Sequence, residues 1–494
     1  MTQSETLTQQ DRAKLVVATT AGECSSTAAR SKLYSAFAER ISVNAELDRS
    51  LVSFQANKSQ PIYGWFKYKE GFSARLVDYI LDALTTEPGV LLDPFAGSGA
   101  ALFAAHQRGW NGIGIEVLPV GFYSMAVRQD AERANAGVFA EEVKRAAAVD
   151  FSEHYSPEWD FKHIAITAGA FPRAAEKCLA GFRAYCENCI SDALVRSLFQ
   201  FAAFCILEEV SYTRKDGQYL RWDHRCRRTR LAGEFDKGRI YGFQDAVLRK
   251  LQIMADDLAG ASCLFADPRM AKGVLDLRQG SCLEVLPNLP AGSVDLALTS
   301  PPYCNRYDYT RTYALELAFL GYGDAQVKTL RQAMLSCTVE NKEKVEELRR
   351  AYAARRMGRR FEKVQAAFDG ETALHEVLEA LEQCRDSGHL NNPNIPRMVR
   401  NYFYEMCFVV SELARVLKPG GQIVMVNDNV RYAGQEVPVD LILSDFAQKF
   451  GLAVRHIWTL PRGKGNSSQQ MGSHGRSELR KCVYVWQKPR RTQR

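Results

Sequence analysis

Val90-Leu91-Leu92-Asp93-Pro94-Phe95-Ala96-Gly97-Ser98-Gly99 is the stretch that decides the fold. An apolar run of strand length ends on a carboxylate, a proline stops it, and two glycines mark a tight turn. The residues after the turn, GAALFAAHQRG, are spaced as a helix, and Trp110-Asn111-Gly112-Ile113-Gly114-Ile115-Glu116-Val117 reads as a second strand. Just upstream, FSARLVDYILDAL is amphipathic at helical spacing. Strand, glycine turn, helix, strand is a βαβ unit, so an α/β, Rossmann-like sheet is expected.

The chemistry of the turn follows from its residue types. Glycines let the backbone approach a ligand closely, and an acid at the strand end can take an ammonium or hydroxyl donor. That polarity suits the amino-acid end of S-adenosylmethionine better than a pyrophosphate. The glycine spacing is neither G-x-G-x-x-G nor a loop ending in Gly-Lys-Ser/Thr, which counts against dinucleotides and nucleoside triphosphates. Glu116, closing the second strand, offers a carboxylate to both hydroxyls of a ribose. A plain glycine turn with a capping aspartate is the bland alternative.

A second motif, Thr299-Ser300-Pro301-Pro302-Tyr303, ends the apolar strand Val294-Asp295-Leu296-Ala297-Leu298. Two prolines remove two backbone donors and stiffen the turn, leaving the Ser300 hydroxyl and the Pro301 carbonyl as acceptors beside an aromatic plane. Such a site suits an amino group on a flat ring: Tyr303 would stack on a flipped base while the acceptors draw on its amine. A rigid proline turn with a packing tyrosine is the alternative.

Together the two motifs resemble the amino-methyltransferases of nucleic acids, which pair an aspartate-phenylalanine-glycine loop with a (Asn/Asp/Ser)-Pro-Pro-(Tyr/Phe) loop. The serine variant is similar to the cytosine N4 branch of DNA methyltransferases. Trp65-Phe66-Lys67-Tyr68-Lys69-Glu70-Gly71-Phe72-Ser73, Leu417-Lys418-Pro419-Gly420-Gly421 and the final strand Lys481-Cys482-Val483-Tyr484-Val485-Trp486 extend the likeness over about 61–125 and 273–488. The resemblance implies a class I S-adenosylmethionine methyltransferase fold with a mostly helical insertion. It implies S-adenosylmethionine bound by Asp93, Phe95, Gly97, Ser98 and Gly99, with Glu116 on the ribose, and catalysis by Ser300, Pro301, Pro302 and Tyr303. Where many relatives have Gly-Asp after the third strand, this chain has Gly280-Ser281, so Ser281 would meet the cofactor's adenine through a weaker acceptor. The order of motifs, with a large insertion before the third strand, matches no permutation class cleanly.

The chemistry needs no metal, because a sulfonium methyl is already activated and the enzyme aligns and desolvates the reacting pair. Methylation at cytosine carbon 5 would need the Pro-Cys dipeptide of that family, which is absent. Cys304 reads as structural, and Asp308 as pairing with Arg306 or Arg311. Cys186 and Cys189 form the one close cysteine pair, but without a second pair a zinc site is disfavoured. DNA with a flipped target base is the expected substrate, cytosine N4 preferred. Adenine N6, then guanine N2 in RNA, then a non-catalytic DNA-binding component of a restriction or defence system, are the alternatives.

For DNA contacts the leading segment is 211–230, in which Arg214, Arg221, Trp222, Arg225, Arg227 and Arg228 interleave arginine with an aromatic. A solvated basic loop explains it equally well. The pairs Arg349-Arg350, Arg355-Arg356 and Arg359-Arg360 read better as a solvated helical face, and Arg462 to Gln470 as a polar glycine loop over substrate or simply a long turn.

Four parts are expected: a helical arm over 1–60, a cofactor-binding half over 61–130, a helical insertion over 131–270 and a catalytic half over 271–488 with a charged helical insert at 322–386. The whole chain of 494 residues is 46% hydrophobic and 24% charged, ordinary values that exclude long disorder and coiled-coil rods. Its Lys+Arg of 64 against Asp+Glu of 57 permits a polyanionic partner without demanding one. No signal-like start and no bilayer-length apolar run is present, and 13 scattered cysteines read as reduced thiols, so a cytoplasmic protein is expected.

Overall fold

The computed structural model describes residues 27–461, apart from 86, 217–218, 227–234 and 265–271, together with 479–490. Its strands are β1 Ile41–Val43, β2 Val90–Asp93, β3 Asn111–Glu116, β4 Thr213–Asp216, β5 Tyr219–Trp222, β6 Leu275–Gln279, β7 Val294–Thr299, β8 Leu417–Asp428, β9 Val430–Tyr432, β10 Gln435–Val437, β11 Ala453–Thr459 and β12 Lys481–Gln487. Eight of these form one sheet in the order β1-β11-β12-β8-β7-β2-β3-β6. β6, β3, β2, β7 and β8 run parallel, whereas β12 lies antiparallel between β8 and β11.

The path of the chain locates the site. From β2 it moves outward to β3 and β6, then returns past β2 to β7 and β8. The order therefore reverses between β2 and β7, and the crevice at the carboxyl ends of those strands is where an open α/β sheet binds ligands. Close packing there depends on small residues: a Cβ on Gly114 of β3 would stand 2.3 Å from Leu102 Cδ1, so glycine is what lets helix Ala100–Gln107 lie on the sheet. Helix Ala74–Leu84 starts where Ser73 Oγ accepts from Leu76 N at 3.2 Å, and it buries Leu76, Val77, Ile80 and Leu81.

Two boundaries differ from the sequence reading. Residues 28–43 are not an accessory arm: helix Ala28–Phe37 puts Leu33 and Phe37 into the main core, and β1 pairs with β11 to extend the sheet. A three-residue strand is too short to show a period, which is why only the weak helical pattern was visible. The boundary at 130 falls inside helix Pro119–Arg133. Beyond it, helices Ala136–Ala146, Arg173–Cys189, Ala193–Val210 and Phe243–Leu264 and the β4–β5 hairpin pack around phenylalanines 139, 151, 182 and 199. That core is continuous with Trp65, Phe66, Tyr313 and Phe319, so the insertion shares its interior with the segments flanking both motifs.

Helix Asp324–Ala333 puts Val327 and Leu330 into the core of the insertion, while three helices between Val345 and Asp386 bury Tyr352, Phe361 and Phe368 against helix Ile395–Val416. Their basic pairs divide by depth: Arg360 bonds Ser411, and Arg355 reaches Asn288 at 3.0 Å, while Arg350, Arg356 and Arg359 stay exposed. Among the described residues no helix is long and apolar enough to cross a membrane.

Candidate active site

A cleft of about 750 Å³, counted together with the solvent at its open mouth, lies at the switch point. Asp93, Phe95, Gly97 and Ser98 from the first loop, Glu116 from β3, Ser281, and Ser300 and Pro302 from the second loop all line it. The two motifs are joined directly, because Thr299 Oγ1 donates to Asp93 Oδ1 at 2.6 Å. The same oxygen accepts the Phe95 amide at 3.1 Å, which fixes the turn after β2.

Gly97 sits at φ +55°, and a Cβ there would come within 2.9 Å of the Tyr68 ring. Gly99, at φ +83°, stands at the head of helix Ala100–Gln107 outside the cavity wall. Both conformations disfavour any residue with a side chain. Glu116 accepts from Gly97 N and Leu118 N, each at 2.6 Å, so it ties the glycine loop to the end of β3. Burial pushes the carboxyls of Asp93 and Glu116 up to about 7 each. A cationic donor entering the cleft would recover the cost of ionising them.

Ser281 precedes the short helix Cys282–Val285 without capping it by its side chain. In the second loop, Asn305 N donates to Tyr303 O at 2.7 Å and Tyr432 Oη donates to Cys304 O at 2.5 Å, holding the turn against β9. Cys304 is fully buried and burial pushes its thiol well up, in keeping with a structural residue. Asp308 pairs with Arg311 at 3.1 Å and with Arg331 at 3.0 Å. Arg306 turns instead to Asn391 and holds a left-handed φ of 65°.

Several residues of the cleft were not singled out from the sequence. Tyr68 lines it while stacked on Tyr313, with ring centroids 5.2 Å apart, and Tyr313 Oη donates to Glu70 Oε2 at 2.6 Å. Met334 and Leu335 bring an apolar wall from the second insert. Arg128, buried in helix Pro119–Arg133, donates to Ser98 O at 2.5 Å and braces the glycine loop from behind. Only the Tyr68–Glu70 stretch carried a signal, as part of the segment that resembles the family.

The proposed DNA-contacting residues fall on the hairpin and the turn after it. Arg214 is exposed; Arg221 pairs with Asp216 at 3.1 Å; Trp222 packs against the insertion core. Arg225 is held by Asp223 at 2.7 Å and by Gly238 O, and Arg227 and Arg228 lie outside the described residues, as does the loop from Arg462 to Gln470. Strand β5 packs beside helix Tyr309–Thr312, which leaves the second loop. Lys215 of β4 makes a buried 2.5 Å ion pair with Glu316. Asp223, His224 and Asp236 cluster closely enough to hold a cation, yet Asp223 is taken by Arg225 and the Lys237 amide. Cys186 is buried in its helix and Cys189 is exposed.

Fold and cleft define an open α/β sheet protein with a glycine-loop pocket at its switch point, beside the Ser300–Tyr303 loop. The DNA methylase family profile matches residues 40–121. The chain is 44% identical over 457 residues to the type II methyltransferase M.AvaI of Nostoc sp., covering 92% of each, and equally similar to that of Anabaena variabilis. It is 40% identical over 463 residues to the type II methyltransferase M.BsoBI of Geobacillus stearothermophilus, covering 90% of this chain and 88% of the relative. The chain belongs to the type II DNA amino-methyltransferases.

Proposed function

We propose that the protein transfers a methyl group from S-adenosylmethionine to N4 of a cytosine flipped out of duplex DNA. The observation that carries this reading is the Thr299–Asp93 hydrogen bond of 2.6 Å, which ties the cofactor loop to the SPPY loop. The cleft fits the cofactor: a glycine turn that a Cβ would close against Tyr68, two buried carboxylates, and an apolar wall from Phe95 and Leu335. When bound, S-adenosylmethionine supplies a sulfonium-activated methyl.

Asp93, Phe95, Gly97 and Ser98 form the methionine end of the pocket, with Gly99 turning the chain into the helix behind it; Glu116 faces the ribose and Ser281 the adenine. Ser300 and the Pro301 carbonyl accept the two amino hydrogens, turning the nitrogen lone pair toward the methyl, and Tyr303 stacks on the base. Pro302 keeps the turn rigid. Serine at the first position of the loop supports cytosine over adenine. Arg214, Arg221 and Arg225, with Trp222, Arg227 and Arg228, are the proposed DNA-contacting set, because β5 borders the helix leaving the SPPY loop. An endonuclease reading the same sequence is the proposed partner.

Ser300→Ala and Tyr303→Ala test the reading. Both are expected to lose methyl transfer while keeping DNA affinity and cofactor binding; retained transfer overturns the assignment of the loop.

A further inference from the structure

Asp428, the last residue of β8, lies directly opposite Lys481, the first of β12. β8 also borders β7, with Met425 beside Thr299, so this pair overhangs the sheet edge that carries Ser300 to Tyr303. Lys481 Nζ stands over the Tyr303 ring, 5.9 Å from its centroid. It lies 3.7 Å from Asp428 Oδ1, a distance held by charge and too long for a hydrogen bond. That oxygen is shut off from solvent and has no hydrogen-bond partner among the described residues. Yet the two side chains keep 27% and 32% of their surface, so the pair opens to one side. Burial opposes the lysine's charge, but Tyr303 and Asp428 outweigh it and hold the ammonium above its ordinary range.

We propose that Lys481, tethered by Asp428, reads the acceptor edge of the target base while Ser300 and Pro301 hold its amine. This rests on the flipped-base reading above. A base stacked on Tyr303 comes within reach of the ammonium. A backbone phosphate is a poorer occupant, because the Asp428 carboxylate beside the ammonium would repel it although Arg49 also acts on the pair, whereas a neutral acceptor meets an ammonium already paired with a carboxylate. In cytosine the amine is followed around the ring by two acceptors, N3 and O2; in adenine the second of those positions is a C–H. The ammonium meets the first of these, the ring nitrogen beside the amine, which both bases offer, so the contact serves either base and does not by itself choose between them.

The recognition site and the modified base are first mapped in plasmid DNA methylated by the wild type. Duplexes carrying that site, with cytosine or 3-deazacytosine at the target, are then compared for wild type and Lys481→Met by single-turnover transfer and by anisotropy. Lys481→Met is expected to slow transfer to cytosine by about ten- to a hundredfold, the worth of a hydrogen bond to a charged group, with cofactor affinity unchanged. Lys481→Arg should keep most of the rate. Removing N3 should slow the wild type but cost Lys481→Met nothing further. Losses that multiply, or a Lys481→Met rate equal to wild type, overturn the proposal. So does a loss confined to affinity with a shallower salt dependence, which would place the ammonium on a phosphate. If Lys481→Met fails to fold, Asp428→Asn replaces it, with reduced sensitivity to N3 removal expected and unchanged sensitivity contradicting. Methyladenine in the mapping step would refute the cytosine reading alone, and the Lys481 test would then run with 1-deazaadenine.

Discussion

The cofactor cleft and the β4–β5 hairpin hold their charges in opposite ways. Asp93 and Glu116 are buried and bonded to the backbone of the turns after β2 and β3, so their chemistry is set by the fold. Arg221 and Arg225 of the hairpin region are 48% and 41% exposed and pair with acids a few residues away. The exposed Arg221–Asp216 pair contributes about 0–1 kcal/mol and can exchange a carboxylate for a phosphate at little cost, whereas Arg225 is held by the buried Asp223 and is less free to do so. A cleft that must align a reaction is rigid, whereas a surface that must meet DNA keeps partners it can release.

The buried Lys215–Glu316 pair breaks this division most sharply, and removing it is the severest test. Lys215→Met would leave Glu316 charged and unpaired under the hairpin. We expect unfolding in urea to show a loss of about 3–5 kcal/mol, largely recovered in Lys215→Met/Glu316→Leu. A loss below 1 kcal/mol would mean that the hairpin is not anchored through this pair.

Within the cleft, Gly97→Ala combines a left-handed φ with a Cβ 2.9 Å from Tyr68. Calorimetry should show cofactor affinity down by about tenfold or more with DNA affinity kept. Unchanged affinity would remove the glycine loop from the cofactor site.

The raised carboxyls give the cleft a pH signature that the hairpin lacks. Because Asp93 and Glu116 titrate near 7 in the folded protein, above their unfolded values, they favour the ligand-free fold at low pH. That contribution fades as pH climbs from the ordinary carboxylate range to about 7. A cofactor ammonium selects the ionised carboxylate, so its affinity should rise over the same interval, by up to about tenfold per pH unit, with proton release seen in buffers of different ionisation heat. Asp93→Asn should flatten the rise, and a flat wild-type profile would contradict it.

The gentlest change is Arg221→Ala. Stability should move by less than about 1 kcal/mol, while the salt dependence of DNA binding loses about one phosphate contact. An unaltered salt slope would return Arg221 to the solvated loop.

What the sequence revealed follows the same line. The loops after β2 and β7 were legible because their constraints are local: an acid ending an apolar strand, glycines where φ is positive, prolines where donors are unwanted. Tyr68 stacked on Tyr313, Met334 and Leu335 on the cleft wall, and Lys481 above Tyr303 join residues far apart in the chain, and no periodicity encodes such meetings. β1 was missed because three residues cannot display alternation. The arginines were visible as a composition, but their commitment to Asp216 and Asp223 depended on the hairpin and its following turn.

The most direct measurement is transfer from labelled S-adenosylmethionine to unmethylated genomic DNA, with total RNA in parallel, followed by nucleoside mass spectrometry. The account expects the label in N4-methylcytosine of DNA. Label in N6-methyladenine would contradict the choice of base, and label in RNA alone, or none in either while the cofactor binds, would contradict the DNA cytosine N4 methyltransferase itself.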